Sequence, residues 1–409
     1  MFHTAFEGMN LNAIADEFGS PVYLYDINAI VKRYHEIHRL FNTLYSPVHV
    51  AVSYKTCPLL GILLALHQAG AKAEVVSDYE FDIAQLMQQQ LSRHLGTIVN
   101  GPHKTDRLLR QAILDGERIH VDHHDEFARI EGIAKAVNKK AYIGVRISLG
   151  EHWNRFGFPA GDDFWPLCET LQSRYAWLQI EGIHLHIGTA IRSPDTFREA
   201  SQTLAKLLQS WPFQWPLKWL DLGGGLAGIS PKWEDATQVY SLPSIEDYAL
   251  AWMQPLADIL ERHKPEIILE PGRTLFEPFG SLLSKVITCR ERSAAQQTLV
   301  IDAGINALPT ARVYRHPIHA ESSKAAHLST KIYGPLCLQA DTLADDCLLP
   351  TLDGGDFILI KGIGAYNQSR SVPFIQLRPG VVGLLDEQLH WLRKPETLSD
   401  HLHLERWPH

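Results

Sequence analysis

The chain has 409 residues, with 38 Lys and Arg against 46 Asp and Glu, a formal net charge of -8. Its 45% hydrophobic and 21% charged content is that of a soluble globular protein, long enough for two domains or one large barrel with an appendage. The acid excess, with no basic block, excludes a binder that neutralises nucleic-acid phosphates, and no apolar run approaches the ~20 residues of a membrane span.

The opening residues MFHTAFEGMN carry neither a basic nor an apolar leader region. Cys57, Cys168, Cys289, Cys337 and Cys347 are odd in number and form no CxxC pair, so a disulfide framework or structural zinc is not expected. Both readings predict a cytoplasmic protein. Residues 1–25, with the run SPVYLY, precede a long regular alternation. Strand-like runs are predicted at 48–54, 71–77, 95–101, 118–124, 140–148, 180–188, 218–225 and 266–272. Amphipathic stretches such as DYEFDIAQLMQQQ, KTDRLLRQAILDG and DTFREASQTLAKLLQ separate them. Eight strand–helix units over roughly 225 residues predict a (β/α)8 TIM barrel, close to the ~250 residues typical of that fold. The barrel is placed at 26–275. The polar segment 226–245 is expected as an insertion on its active-site face. Beyond Arg273 the pattern changes to short strands with turn signals. Residues 276–409, together with 1–25, are expected to form an all-β domain, a sandwich or Greek-key barrel.

In such barrels chemistry sits at the C-terminal ends of the strands. Lys55 ends the first strand in AVSYKTCP. His184 and His186 end the sixth in HLHIGT and, by alternation, point the same way. They could be hydrogen-bonded core histidines, metal ligands, or rings stacked on a cofactor. Gly223, Gly224 and Gly225 end the seventh strand, where consecutive N–H groups can receive a phosphate. Glu270 and Arg273 end the eighth in EPGR. Pyridoxal 5'-phosphate reconciles these parts: Lys55 to hold it covalently, the glycines and Arg273 for its phosphate, His186 for a ring face, Glu270 for the ring nitrogen. Glu74 and Arg146, ending strands two and five, are expected either to orient that cofactor or to pair structurally. His123 and His124 are expected to be local hydrogen bonders, and Trp211, Trp215 and Trp219 to pack around a turn.

The motifs SYKTCP, NRFGF, HLHIGT, DLGGGLAG, ILEPGR, GPLCLQAD and GDFILIKGIGAY occur in this order over nearly the whole chain. In that order and spacing the chain resembles the fold type III, alanine-racemase-fold decarboxylases, the family of diaminopimelate and eukaryotic-type ornithine decarboxylases. The resemblance implies Lys55 as the coenzyme-binding lysine and His186 stacked on the ring. It implies Thr189, Gly224, Gly225, Arg273 and Tyr366 on the phosphate, and Glu270 at the ring nitrogen. It also implies Cys337 as a proton donor reaching the active site of a neighbouring subunit, with Asp341 in the same interface motif, hence a homodimer with shared sites. A carboxylate at the ring nitrogen, where racemases of this fold carry an arginine, favours decarboxylation.

The substrate end departs from the best-known members. After the motif cysteine, diaminopimelate enzymes carry Glu-Ser and ornithine enzymes Asp; here Leu338 and Gln339 follow Cys337. Thr310 stands where the diaminopimelate version has an arginine, and Tyr314 is followed by Arg315 rather than an acid. A distal ammonium 4 Å from Arg315 would be repelled by ~1 kcal/mol in water and by more when buried. Arg312, Tyr314 and Arg315 are therefore expected to hold an anionic distal group. The pattern is closest to decarboxylases of citryl–amino-acid conjugates in carboxylate siderophore assembly, the alternative being diaminopimelate or another basic amino acid.

Overall fold

The computed structural model describes residues 4–150, 155–233, 242–320 and 327–408. The chain divides into two units, one of residues 31–227 and 241–273, the other of 1–30, 228–240 and 274–409. After β1 (Val22–Asp26), eight parallel strands build the first unit: β2 (Val48–Ser53), β3 (Lys72–Val75), β4 (Ile98–Val99), β5 (Arg118–Val121), β6 (Ala141–Ser148), β8 (Leu178–Leu185), β9 (Trp219–Asp221) and β10 (Glu266–Leu269). The short β7 (Phe158–Pro159) adds to β6. Each barrel strand pairs with its neighbour in sequence, β10 pairs with β2, and the barrel closes. Seven of the eight predicted runs hold one of these strands, and the run 180–188 overlaps β8, which starts two residues earlier.

Local chemistry sets the connecting helices. Ser77 caps helix Asp78–Leu91 by accepting the Glu80 N–H at 3.2 Å, and Thr105 caps Asp106–Asp115 through Leu108 N–H at 3.1 Å. Gly116, at a φ of 77°, ends the latter helix in the left-handed conformation its sequence position predicts.

The barrel floor is set by register. Gly144 on β6 pairs with His120 on β5 and with Gly182 on β8, which in turn pairs with Trp219 on β9. A Cβ at Gly182 would lie 2.1 Å from the Trp219 indole, and one at Gly144 would lie 2.4 Å from His120. Two missing side chains thus admit one large ring, packed with Ala51, Ile98 and Ile268. Trp211 and Trp215 do pack around a turn, with the Trp211 indole N–H on the Trp215 carbonyl at 2.8 Å. Trp219 does not; it lies inside the barrel. His123 precedes helix His124–Ala136 without a side-chain capping bond, and His124 meets Phe158 edge-on at 4.9 Å.

The second unit is strand-rich. Its strands are β1, β11 (Gly280–Arg292), β12 (Gln296–Ile301), β13 (Ile318–Ala320), β14 (Leu328–Tyr333), β15 (Thr342–Leu349), β16 (Phe357–Lys361), β17 (Gly380–Leu385) and β18 (Gln388–Arg393). They follow the order β15-β14-β12-β11-β1-β17-β18, with β16 and β13 branching from β11. Phe6, Leu11 and Phe18 from the N-terminus pack on Val22, Leu283, Leu359 and Val382 in its core. Of the segment 226–245 expected as a barrel insertion, residues 228–233 group with this unit instead, while 226–227 and 242–245 stay with the barrel unit. The Ser230 N–H donates to Glu277 and its hydroxyl meets His316 Nδ1 at 3.2 Å, partners remote in sequence. The remainder of that segment, 234–241, lies outside the described residues.

Candidate active site

The ends of β2, β3, β8 and β10 surround a cavity of about 270 Å³ lined by Lys55, Glu74, Asn100, Phe156, His186 and Glu270, among others. Lys55 follows β2, and its Nζ lies 2.5 Å from Glu74 Oε2. The same oxygen accepts the Ser53 hydroxyl, and Oε1 accepts the Asn100 amide at 3.1 Å. Glu74 is thus a fully engaged buried carboxylate, the partner of the lysine rather than a distant orienter.

His186 leaves β8, and its Nδ1 accepts the Gly224 N–H at 3.1 Å, so the ring is neutral with its proton on Nε2. Burial pushes its pKa down to about 4. His184 points into the barrel and stacks on His120 at 4.6 Å, and burial likewise holds it well below the usual imidazole range.

Gly223, Gly224 and Gly225 wedge between the elements that carry His186 and Glu270. A Cβ at Gly224 would stand 2.4 Å from the Glu270 carbonyl, and one at Gly225 2.8 Å from the Gly188 carbonyl. Asp221 Oδ1 accepts the Gly223 N–H at 2.9 Å, which holds the turn. Burial, with Glu270 close by, pushes the Asp221 carboxyl well above its ordinary range. The exposed Thr189 belongs to a loop tied to this turn by the Ile191 N–H on the Gly225 carbonyl at 2.9 Å. Arg273, buried at the end of the eighth strand–loop unit, starts helix Arg273–Phe276. Glu270 accepts the Asn100 amide at 2.6 Å and lies 3.6 Å from His184 Nε2. Arg146 pairs with Asp122 at 3.3 Å and lies over the Phe156 ring at 4.6 Å, so it shapes the mouth through both contacts.

His120, His184 and Glu270 present ligand atoms within 4.8 Å of one another. The His120 nitrogens are already committed: the Trp219 indole donates to Nε2 at 3.0 Å, and Nδ1 meets Asn100 Oδ1 at 2.7 Å. His120 therefore has no lone pair left for a cation. The set suits the coenzyme inferred from sequence: an amine, a flat neutral imidazole, a glycine turn that side chains would fill, and a buried carboxylate.

The remaining expected residues belong to the strand-rich unit. Tyr366 is half-buried, at a φ of 63°, in a loop braced by the Asn367 amide on the Ile363 carbonyl at 2.9 Å. Cys337 is exposed and lines a cleft of about 680 Å³. Asp341 is buried and accepts the Ile305 and Leu336 N–H groups at 2.8 and 2.7 Å; it clamps the loop that presents Cys337. Thr310 is buried, its hydroxyl 2.7 Å from Asn367 Oδ1 and 2.8 Å from His316 Nε2. Tyr314 is buried and Arg312 exposed. Arg315 pairs with Asp346 and lies over Trp233 at 4.9 Å, so its charge is compensated, which the sequence reading had not counted. Asn100 and Asp221 were missed, Asn100 because no motif marks it and Asp221 although it opens the DLGGGLAG motif.

The chain is similar over nearly its full length to known proteins. It is 29% identical over 417 residues to a diaminopimelate decarboxylase of Aquifex aeolicus, covering 96% of this chain and 93% of that one. With a diaminopimelate decarboxylase of Helicobacter pylori it is 27% identical, covering 97% and 98%. The fold matches the crystal structure of diaminopimelate decarboxylase from M. jannaschii in complex with L-lysine, with a TM-score of 0.88 at 24% identity over 98% of this chain and 95% of that one. The sequence model described as "Pyridoxal-dependent decarboxylase, pyridoxal binding domain" matches residues 27–277.

Proposed function

The chain belongs to the family of pyridoxal-dependent decarboxylases, and from that membership we propose that it removes the α-carboxylate of a diamino acid of the diaminopimelate type. It is a carboxy-lyase whose coenzyme is pyridoxal 5'-phosphate. The observation that carries the proposal is the placement of Lys55 and Glu270 on one cavity, an amine at one strand end and a buried carboxylate at another.

Pyridoxal 5'-phosphate, when bound, supplies the electron sink that takes up the pair left on Cα as CO2 departs. Lys55 would bind its aldehyde, with Glu74 holding the amine in place. Glu270 would keep a proton on the ring nitrogen, and the neutral His186 would cover one face of the ring without adding charge. The Gly223–Gly225 turn, Thr189, Arg273 and Tyr366 would hold the phosphate. Cys337 would donate the proton that replaces the carboxylate, in the active site of a second copy of the chain, which makes the enzyme a homodimer. Mixing Lys55→Ala with Cys337→Ala protein tests this, since shared sites recover activity in the hybrid and separate sites do not.

The relatives' names support diaminopimelate as substrate, and the L-lysine in the related crystal structure supports lysine as product. A second reading, a citryl–diamino-acid conjugate from siderophore assembly, is favoured by Leu338 and Gln339 after Cys337 and by Thr310, whose hydroxyl is taken by Asn367 and His316. The Arg315–Asp346 pair counts against it, leaving Arg312 as the exposed cation of that segment. Release of CO2 is measured from meso-diaminopimelate, ornithine and citryl-diaminopropionate. Turnover of diaminopimelate supports the first reading, and preference for the citryl conjugate replaces it with the second. Release from no amino acid overturns both.

A further inference from the structure

Behind the Lys55–Glu74 pair runs a chain of hydrogen bonds with only one consistent direction. The Trp219 indole N–H can only donate, so His120 Nε2, at 3.0 Å, accepts. The His120 proton is therefore on Nδ1, which donates to Asn100 Oδ1 at 2.7 Å. This fixes the Asn100 amide so that its nitrogen faces the two carboxylates, Glu270 Oε1 at 2.6 Å and Glu74 Oε1 at 3.1 Å. Each carboxylate accepts only, so the opposite orientation would set oxygen against oxygen.

We propose that Asn100 is a positioning residue that ties the carboxylate holding Lys55 to the carboxylate assigned to the ring nitrogen, with its orientation dictated from the barrel floor by Trp219 through His120. The inference rests on the decarboxylase reading for the purpose of the tie, and on hydrogen-bond geometry for its existence. Trp219, His120, Asn100, Glu74 and Glu270 are all buried. Both ends of the coenzyme's conjugated system would then be tuned by one amide. The charged and titratable groups around this pair of acids include Lys55, Glu80, Arg146, His120, His184, His186 and Asp221. Burial holds the three imidazoles below their ordinary range and pushes the Asp221 carboxyl well above its own.

The test has two readouts. In the coenzyme-loaded protein, Asn100→Ala makes both carboxylates more basic, so the proton on the Lys55 nitrogen is held more tightly. The pH midpoint of the coenzyme's visible band is therefore expected to shift upward by about one unit, the scale of one lost charge-assisted hydrogen bond. Trp219→Phe, which keeps the ring's bulk and removes only its donor, is expected to shift it the same way by less. In the coenzyme-free protein, 15N NMR of the His120 ring is expected to show the Nδ1–H tautomer, and a tautomer mixture in Trp219→Phe. A His120 proton on Nε2, or a midpoint unmoved in folded Asn100→Ala, overturns the inference. Should Asn100→Ala fail to fold, the tautomer in wild type and Trp219→Phe decides. Failure of the protein to take up pyridoxal phosphate at Lys55 defeats the function proposed above, and the tautomer still decides this inference.

Discussion

Lys55 Nζ and Glu74 Oε2 stand 2.5 Å apart because β2 and β3 run parallel with Ser53 beside Glu74, and Lys55 lies two residues past Ser53. The amine is thus delivered to the barrel mouth already oriented by an acid. Lys55→Ala is expected to abolish borohydride-stable labelling by the coenzyme and to cut decarboxylation by about 10²–10⁴-fold, the range of a lost proton-transfer group. Glu74→Gln is expected to retain the labelling but at a slower rate, because the amine loses the group that aims it. Mass spectrometry of the reduced protein follows both.

At the glycine turn, Gly224→Ala places a Cβ 2.4 Å from the Glu270 carbonyl, which is backbone and cannot swing aside. The strain, about 1–3 kcal/mol by comparison with overpacked cores, is expected to weaken coenzyme affinity by roughly 10–100-fold. Gly132→Ala, where a Cβ meets nothing within 4 Å, is the control and is expected to leave affinity unchanged. Fluorescence titration of the coenzyme-free proteins measures both.

Asp341→Ala strips the loop that presents Cys337 of the acceptor for two backbone N–H groups. Each buried donor left unpaired costs about 1–3 kcal/mol. The variant is expected to melt at lower temperature and to alkylate faster at Cys337, read by calorimetry and by iodoacetamide labelling.

His67 carries a pH dependence that precedes any chemistry. Its Nε2 meets the Tyr54 hydroxyl at 2.7 Å and its Nδ1 the Ala71 carbonyl at 2.9 Å, beneath the Tyr54–Thr56 turn that holds Lys55. Burial lowers its pKa to about 4 from 6.5. The unfolded chain therefore binds the proton first, so stability from this residue is complete above pH 6.5 and is lost as pH falls toward 4. The loss reaches about 2 kcal/mol by pH 5. His67→Gln is expected to flatten the fall in denaturant midpoint between pH 7 and 5; His186, lowered in the same way, leaves a residual slope.

The barrel was legible because each strand is an apolar run ending in a chemically distinctive residue. Lys55, His186 and Glu270 announced themselves at strand ends, and the structure brings them onto one cavity. Asn100 did not, since its role comes from neighbours in space; it and Glu270 are 170 residues apart. Arg315 reads as an uncompensated cation in the sequence for the same reason, because Asp346, which offsets its charge, is carried by a later strand. Trp219 reads as generic packing until the register sets it opposite Gly182.

That register leaves Trp219, Gly144 and Gly182 unable to vary one at a time. A smaller residue at 219 opens a hole under the catalytic mouth, and a larger one at 144 or 182 collides with the rings already there. Any lineage or designer reshaping this pocket from below must exchange the trio together, or work from the rim.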